Sequence, residues 1–185
     1  MQKKGVSPIV AEVLLVLLTI AAVAVVATFV VNFVGPTLTK STECASYKDY
    51  FSFKEEFEVG GEIFRYNCQK GNLVGASIKA GIKDDGKIIG FSLVFTDKEG
   101  ITKVAVVNET TIPSCDEGGI KMLGESCSSP IKVPKEGNSY TYVYKNADKT
   151  FKTAEVYPML SNGRLCDKSD SIELIGCGEN IDLAG

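Results

Sequence analysis

The chain has 185 residues, room for one membrane-length helix and one domain of ordinary size. It carries 20 Lys+Arg against 23 Asp+Glu, and three of those lysines and one glutamate precede residue 41, so residues 41–185 stand at a net −5. Phosphate binding calls for clustered Lys and Arg, so nucleic acid is excluded as an expected partner. There is no histidine, which removes the commonest general base and the commonest metal ligand.

The first element is an apolar run. From Val13 to Val34 there are 22 uncharged residues, broken only by Thr19, Thr28 and Asn32. As a helix this is roughly 33 Å long, which matches a hydrocarbon core of about 30 Å. Ser7 followed by Pro8 is a helix start, and Gly35-Pro36 is the matching stop, so a helix is expected from about Pro8 to Val34. Lys3 and Lys4 place its amino end in the cytoplasm and the rest of the chain outside. Ala21, Ala24, Thr28 and Asn32 fall at spacings of 3, 4 and 4, a stripe of small and weakly polar residues along which helices approach closely in an apolar surround.

Three readings compete for this segment. A secretory signal peptide would use the A-x-A-like Ala22-Val23-Ala24, but cleavage there leaves VVATFVVNFV as a greasy terminus, and a signal core is about 7–15 residues. A plain transmembrane anchor explains the length but not Glu12. The third reading rests on a short basic leader ending in glycine, K-K-G, then V-S-P-I-V, then the long apolar helix. This pattern resembles the N-terminus of archaeal type IV pilins.

That resemblance covers about the first 35 residues and implies several things. A membrane prepilin peptidase would cut between Gly5 and Val6, leaving the helix on the mature protein. The chain would sit in the cytoplasmic membrane before assembly by pilus machinery, then join a homo-oligomeric helical filament at the cell surface. Cleavage would put Val10 fifth and Glu12 seventh, whereas bacterial type IV pilins carry glutamate fifth, a residue many archaeal relatives lack. The implied segments are a leader 1–5, a membrane and filament-core helix 6–35, a linker 36–43 and an extracellular head 44–185. Archaeal pilins commonly have immunoglobulin-like heads.

Glu12 is the sharp clue. A lone carboxylate near the end of an apolar segment costs several kcal/mol unless neutral or paired. After cleavage the new amine of Val6 on a neighbouring subunit is a partner; without it, Lys3 or Lys4 serves. The plainer alternative has Glu12 reaching headgroups or water.

Beyond residue 40 the pattern changes to short apolar runs divided by turn residues. Strands are expected over Phe51–Phe53, Phe57–Val59, Glu62–Tyr66, Leu73–Ile82, Lys87–Thr96, Ile101–Val107, Tyr140–Tyr144, Phe151–Leu160 and Ile172–Ile175. Asp84-Asp85-Gly86 reads as the turn of a hairpin, and Ser161-Asn162-Gly163 as another turn. Runs at this spacing predict a β-sandwich. The fold class is α+β: a long hydrophobic N-terminal helix followed by a disulfide-bonded β-sandwich head.

All six cysteines, Cys44, Cys68, Cys115, Cys127, Cys166 and Cys177, come after the apolar run. An even number in an outward-facing domain predicts three disulfides, and spacings of 11 residues or more without histidine argue against zinc. Pairing between sequence neighbours, 115–127 and 166–177, is expected. CDEGGIKMLGESCSSP reads as a disulfide-pinned surface loop serving stability. Asn108-Glu109-Thr110 is the sole N-x-[ST] sequon.

No catalytic, metal or cofactor residues are expected. Paired cysteines are not nucleophiles, no glycine-rich loop joins a strand to a helix, and the carboxylates read as solvated turn charges. The expected function is a structural filament subunit serving surface adhesion. Its rivals are a membrane-anchored cell-surface binding domain and an archaellin-type filament subunit.

Overall fold

The computed structural model describes residues 8–29, 43–82, 86–146 and 149–184. The chain forms two compact units, Met1–Ala45 and Ser46–Gly185.

Among the described residues, the first unit contains the helix α1 (Pro8–Phe29) and a helical turn over 43–45. Pro8 is its first residue, where a missing amide hydrogen costs nothing, and neither glycine nor a second proline interrupts the helix from there to Phe29. The expected continuation to Val34, with Asn32 and the stop at Gly35-Pro36, lies outside the described residues, as do Gly5 and Val6.

Among its described residues the second unit holds twelve strands. A six-stranded sheet runs β12 (Ile175–Gly176), β4 (Cys68–Lys70), β5 (Leu73–Ala80), β9 (Ser139–Lys145), β8 (Ile120–Met122), with β1 (Phe51–Phe53) also on β5. A four-stranded sheet runs β11 (Asp170–Glu173), β10 (Phe151–Leu160), β6 (Ile88–Asp97), β7 (Thr102–Asn108). A small hairpin pairs β2 (Phe57–Val59) with β3 (Glu62–Phe64). Among the described residues every strand pairing is antiparallel except β12 with β4.

The two larger sheets face one another across an aromatic seam. Phe91 of β6 meets Tyr142 of β9 edge-on at 5.2 Å, and Phe95 stacks on Tyr144 at 5.0 Å. Phe51 and Phe151 close the seam against Phe91 and Phe95. Aromatic pairs at these separations add to their area burial. The sandwich expected from strand spacing is therefore present; the strand order does not by itself establish the immunoglobulin-like connectivity that the resemblance implies.

Three sequence expectations need correction. Asp84 and Asp85 lie outside the described residues, but the strands flanking Asp84-Asp85-Gly86 do not pair as a hairpin: β5 and β6 lie in different sheets. Both neighbours of β5 along the sheet are already taken, by β4 and β9, so the chain must cross to the facing sheet. Next, the segment from Cys115 to Pro134 is more than a surface loop. It contains β8, which pairs with β9, and it buries Ile120, Met122, Ile131 and Val133. The third concerns disulfides. Cys115 does pair with Cys127, but Cys177 pairs with Cys68, not Cys166, at a Cα separation of 4.9 Å. The parallel register Ile175↔Cys68 brings β12 beside β4 and delivers Cys177 there. Cys44 and Cys166 are each disulfide-bonded too, and no thiol is free.

A second, smaller core lies on the other face of the six-stranded sheet. Cys68, Val143, Ile181 and Leu183 pack there with Phe64, Tyr66, Leu73 and Leu123. The C-terminal tail supplies Ile181 and Leu183. Two lysines hold it: Lys70 Nζ donates to the Ile181 carbonyl at 3.0 Å and Lys121 Nζ to that of Ala184 at 2.7 Å.

Candidate assembly site

The feature that needs a partner is α1. Pro8–Thr28 is long and apolar enough to cross a membrane, and none of it is buried within the chain. Leu18 and Val25 are each 72% exposed. An all-round apolar helix in water would be strongly unfavourable, so lipid or other helices must cover it. Its backbone groups bond within the helix, as any segment placed in hydrocarbon requires.

The polar residues of α1 divide between two sides. Each residue turns a regular helix by about 100°. Ala21, Ala24 and Thr28 then fall within an arc of about 60°, while Glu12 lies about 180° from Ala21. Thr19 lies on the Glu12 side by the same geometry. The two threonine hydroxyls are turned inward: Thr19 donates to the Val16 carbonyl and Thr28 to that of Ala24, both at 2.8 Å. Thr28 therefore offers a neighbouring helix an oxygen lone pair but not its proton, narrowing the interhelical bonding expected of it. Glu12 is exposed and has no ion-pair partner among the described residues.

The head has charged clusters of a structural kind. Asp97 anchors the β6–β7 turn, its Oδ1 accepting from the amides of Glu99 and Ile101 at 2.9 and 2.8 Å. Burial pulls the Asp97 pKa up, but these amides and Lys149, 3.2 Å away, outweigh it and hold the carboxyl below its usual range. Glu155 accepts from Lys168 Nζ at 2.8 Å and from the Tyr157 hydroxyl at 2.7 Å on the outer face of the four-stranded sheet. Tyr142 is fully buried and donates to the Lys132 carbonyl at 2.6 Å; burial, with Tyr140 nearby, pushes its phenol well up.

Nothing in these clusters resembles a reacting centre. Among the described residues no group of three or more Cys, Asp or Glu side chains is placed to hold a metal. A cleft of about 430 Å³ beside β3 and β12 brings Arg65 and Glu179 to an apolar wall of Ile63, Phe64 and Ile175. Arg65 is already paired with Glu56.

The sequon residue Asn108 ends β7 and is half-buried, with Glu109 and Thr110 exposed beside it. No local pattern signals that β7 is a sheet edge, because edge position depends on which strands pair.

Residues 4–44 match the family model described as archaeal type IV pilin, N-terminal. The chain thus begins with an N-terminal segment of the archaeal type IV pilin kind, whose apolar part is α1. Among solved structures it is similar to the archaellum periplasmic stator protein complex FlaF and FlaG from Sulfolobus acidocaldarius. That likeness is 9% identity at a TM-score of 0.37, over 68% of this chain and 88% of that one, too slight to carry an argument. No curated protein matches the chain.

Proposed function

We propose that this protein is a structural, non-enzymatic subunit of an extracellular archaeal type IV pilus, serving surface adhesion. The observation that carries the reading is the pilin-type N-terminal segment whose helix is apolar and wholly uncovered within the chain. In this reading a membrane prepilin peptidase cuts between Gly5 and Val6. The helix waits in the cytoplasmic membrane, then exchanges lipid for the helices of other copies, and the disulfide-bonded head 44–185 faces outward.

The opposed placement of Glu12 and the small-residue stripe favours a filament over a closed dimer. A two-fold pair buries the same patch on both partners. Two different patches on opposite sides suit head-to-tail packing, which propagates when the rotation does not close. Glu12 meets a cation of one neighbour, the Val6 amine after cleavage, while Ala21, Ala24, Thr28 and Asn32 accept a helix on the other side.

The test compares wild type with Glu12→Gln and Glu12→Ala in cells. The readout is the ratio of subunit in sheared surface filaments to subunit in membranes. Pairing predicts a several-fold lower ratio in both variants, with membrane insertion and N-terminal cleavage intact. Equal ratios in all three would leave Glu12 as a residue of the membrane surface. N-terminal sequencing of filament subunits is expected to begin at Val6; a start after Ala24 would make the segment a signal peptide. A monomeric membrane-anchored binding domain would yield no filaments, and archaellin would yield filaments whose loss stops swimming.

A further inference from the structure

The four-stranded sheet is closed at one edge and open at the other. Beside β11, strand β1 covers the edge: the amides of Phe51 and Phe53 donate to Ser169 Oγ at 3.0 Å and Asp170 Oδ2 at 2.8 Å. Beside β7 no strand does so among the described residues. Thr111 shows which backbone groups are left open. Its Oγ1 accepts from the Asn108 amide at 2.9 Å and lies 3.2 Å from the Val106 carbonyl. Backbone groups alternate along a strand, so those of Val104, the amide of Val106 and the carbonyl of Thr102 point to the same free edge.

The side chains there are apolar. Val104 and Val106 are 57% and 41% exposed on the sheet's outer face. Ile101 and Ile112, on either side of the strand in the chain, are both exposed. A seven-residue edge with a single charge, Lys103, is a template for pairing with another chain. In a protein that concentrates copies of itself, this edge calls for cover.

Asn108 lies on that same face, at the end of that strand. It stands opposite Gly90 of β6, where an added Cβ would collide first with the Val107 carbonyl and then with Cβ of Asn108. Its Oδ1 accepts from the Thr110 amide at 3.0 Å and the Thr110 hydroxyl at 2.9 Å. Asn108 Nδ2 has no hydrogen-bond partner among the described residues, and the turn that carries it is exposed. The sequon's hydroxyl is thus already on its amide, with the nitrogen left free.

We propose that Asn108 carries an N-linked glycan that covers the open β7 edge and its valine face, keeping heads from pairing edge to edge. The donor is an oligosaccharide linked through phosphate to a membrane lipid. Asn108 Nδ2 attacks the anomeric carbon and a C–N bond forms. The bond from that carbon to the phosphate oxygen breaks, the lipid phosphate leaves with the electron pair, and the amide proton goes to a base of the transferase. The proposal rests on the reading that the head lies outside the cytoplasm.

The test uses full-length protein from the cells that make it. Peptide mass mapping is expected to show a hexose-containing increment on the peptide bearing Asn108. The increment should vanish in Asn108→Gln and Thr110→Val and persist in Thr110→Ser. Both unmodified variants should give several-fold more cross-linked dimer in detergent than wild type, and adding Val104→Lys to either should reverse the rise. An unmodified Asn108 in protein from sheared surface filaments overturns the proposal while the filament reading stands. Loss of the glycan with no rise in dimer overturns the shielding role. A head that protease cannot reach from outside intact cells sinks both readings.

Discussion

Among individual residues, the outer-face cluster of Glu155, Tyr157 and Lys168 shows how neighbours set proton affinities. The hydrogen bond from Lys168, then that from Tyr157, hold the Glu155 carboxyl below its usual range against a smaller opposing effect of burial. The same bond to Glu155, then burial, pushes Tyr157 up to about 12. A lowered carboxyl stabilises the fold above the unfolded value, about 4.3 for glutamate. That contribution is lost as pH falls through the lower folded value. Glu155→Gln should therefore lower the Tm near pH 6–7, by the equivalent of about 0.5–1 kcal/mol for a part-exposed pair. The difference should shrink below about pH 4, where the wild-type carboxylate protonates in the unfolded chain. The phenol works in the other direction. Its raised pKa holds stability below about pH 10, lost as pH rises through the folded value. Ultraviolet titration should show one tyrosine moving from about 12 toward 10 in Glu155→Gln. A tyrosine titration unchanged by the substitution would mean the bond does not form in solution.

Among the elements, α1 and β8 stand at opposite ends of legibility. α1 is written in composition alone: 22 residues with no interruption, starting at a proline. Its task can be probed with one substitution. Leu18→Arg puts a cation near the middle of the span at a cost of about 3 kcal/mol in insertion. We expect the variant to move from the carbonate-resistant membrane fraction to the soluble or degraded fraction, with Leu18→Ala unaffected. An arginine variant that stays in the membrane would mean the helix is not the spanning segment. β8 is the contrary case. Ile120-Lys121-Met122 is three residues just after a pair of glycines, too short for a period to be read, and it becomes a strand because β9 offers an edge. The tail with Ile181 and Leu183 is similar: its burial depends on a sheet face that exists only after β4, β5 and β9 assemble.

Across the molecule as a whole, the crosslinks differ in reach. Cys68–Cys177 joins residues 109 apart, whereas Cys115–Cys127 spans 12. Loop-closure entropy makes the long link worth about 4.7 kcal/mol and the short one about 3. Replacing both cysteines by alanine should thus lower the Tm more at 68/177 than at 115/127, read by calorimetry on the otherwise oxidised protein. Exposure predicts the order of reduction as well. Cys127 is exposed and Cys68 fully buried, so mild reductant should open the short link first, seen by thiol labelling and peptide mass. Equal Tm losses would rule out loop length as the source of the difference, and a long link that opens first would rule out burial as its protection.

Features that depend on local chemistry are legible in the chain before it folds. A charge-free run of membrane length specifies a helix that must leave water, and K-K-G-V-S-P-I-V at its start specifies the pilin-type beginning. Alternating apolar runs between turn residues specify strands and hence a sandwich, because each strand must bury one side. Partners are another matter, chosen only in the folded molecule. Asp84-Asp85-Gly86 has the composition of a hairpin turn, yet competition for the edges of β5 sends the chain to the other sheet. Cys177 meets Cys68 over the nearer Cys166 because a parallel register, not chain distance, sets which sulfurs meet. Asn108 is visible as a sequon, but its place at the end of an open edge is not. Chain-local preferences act over a few residues, whereas pairing is settled by which edges remain when the sheets have closed.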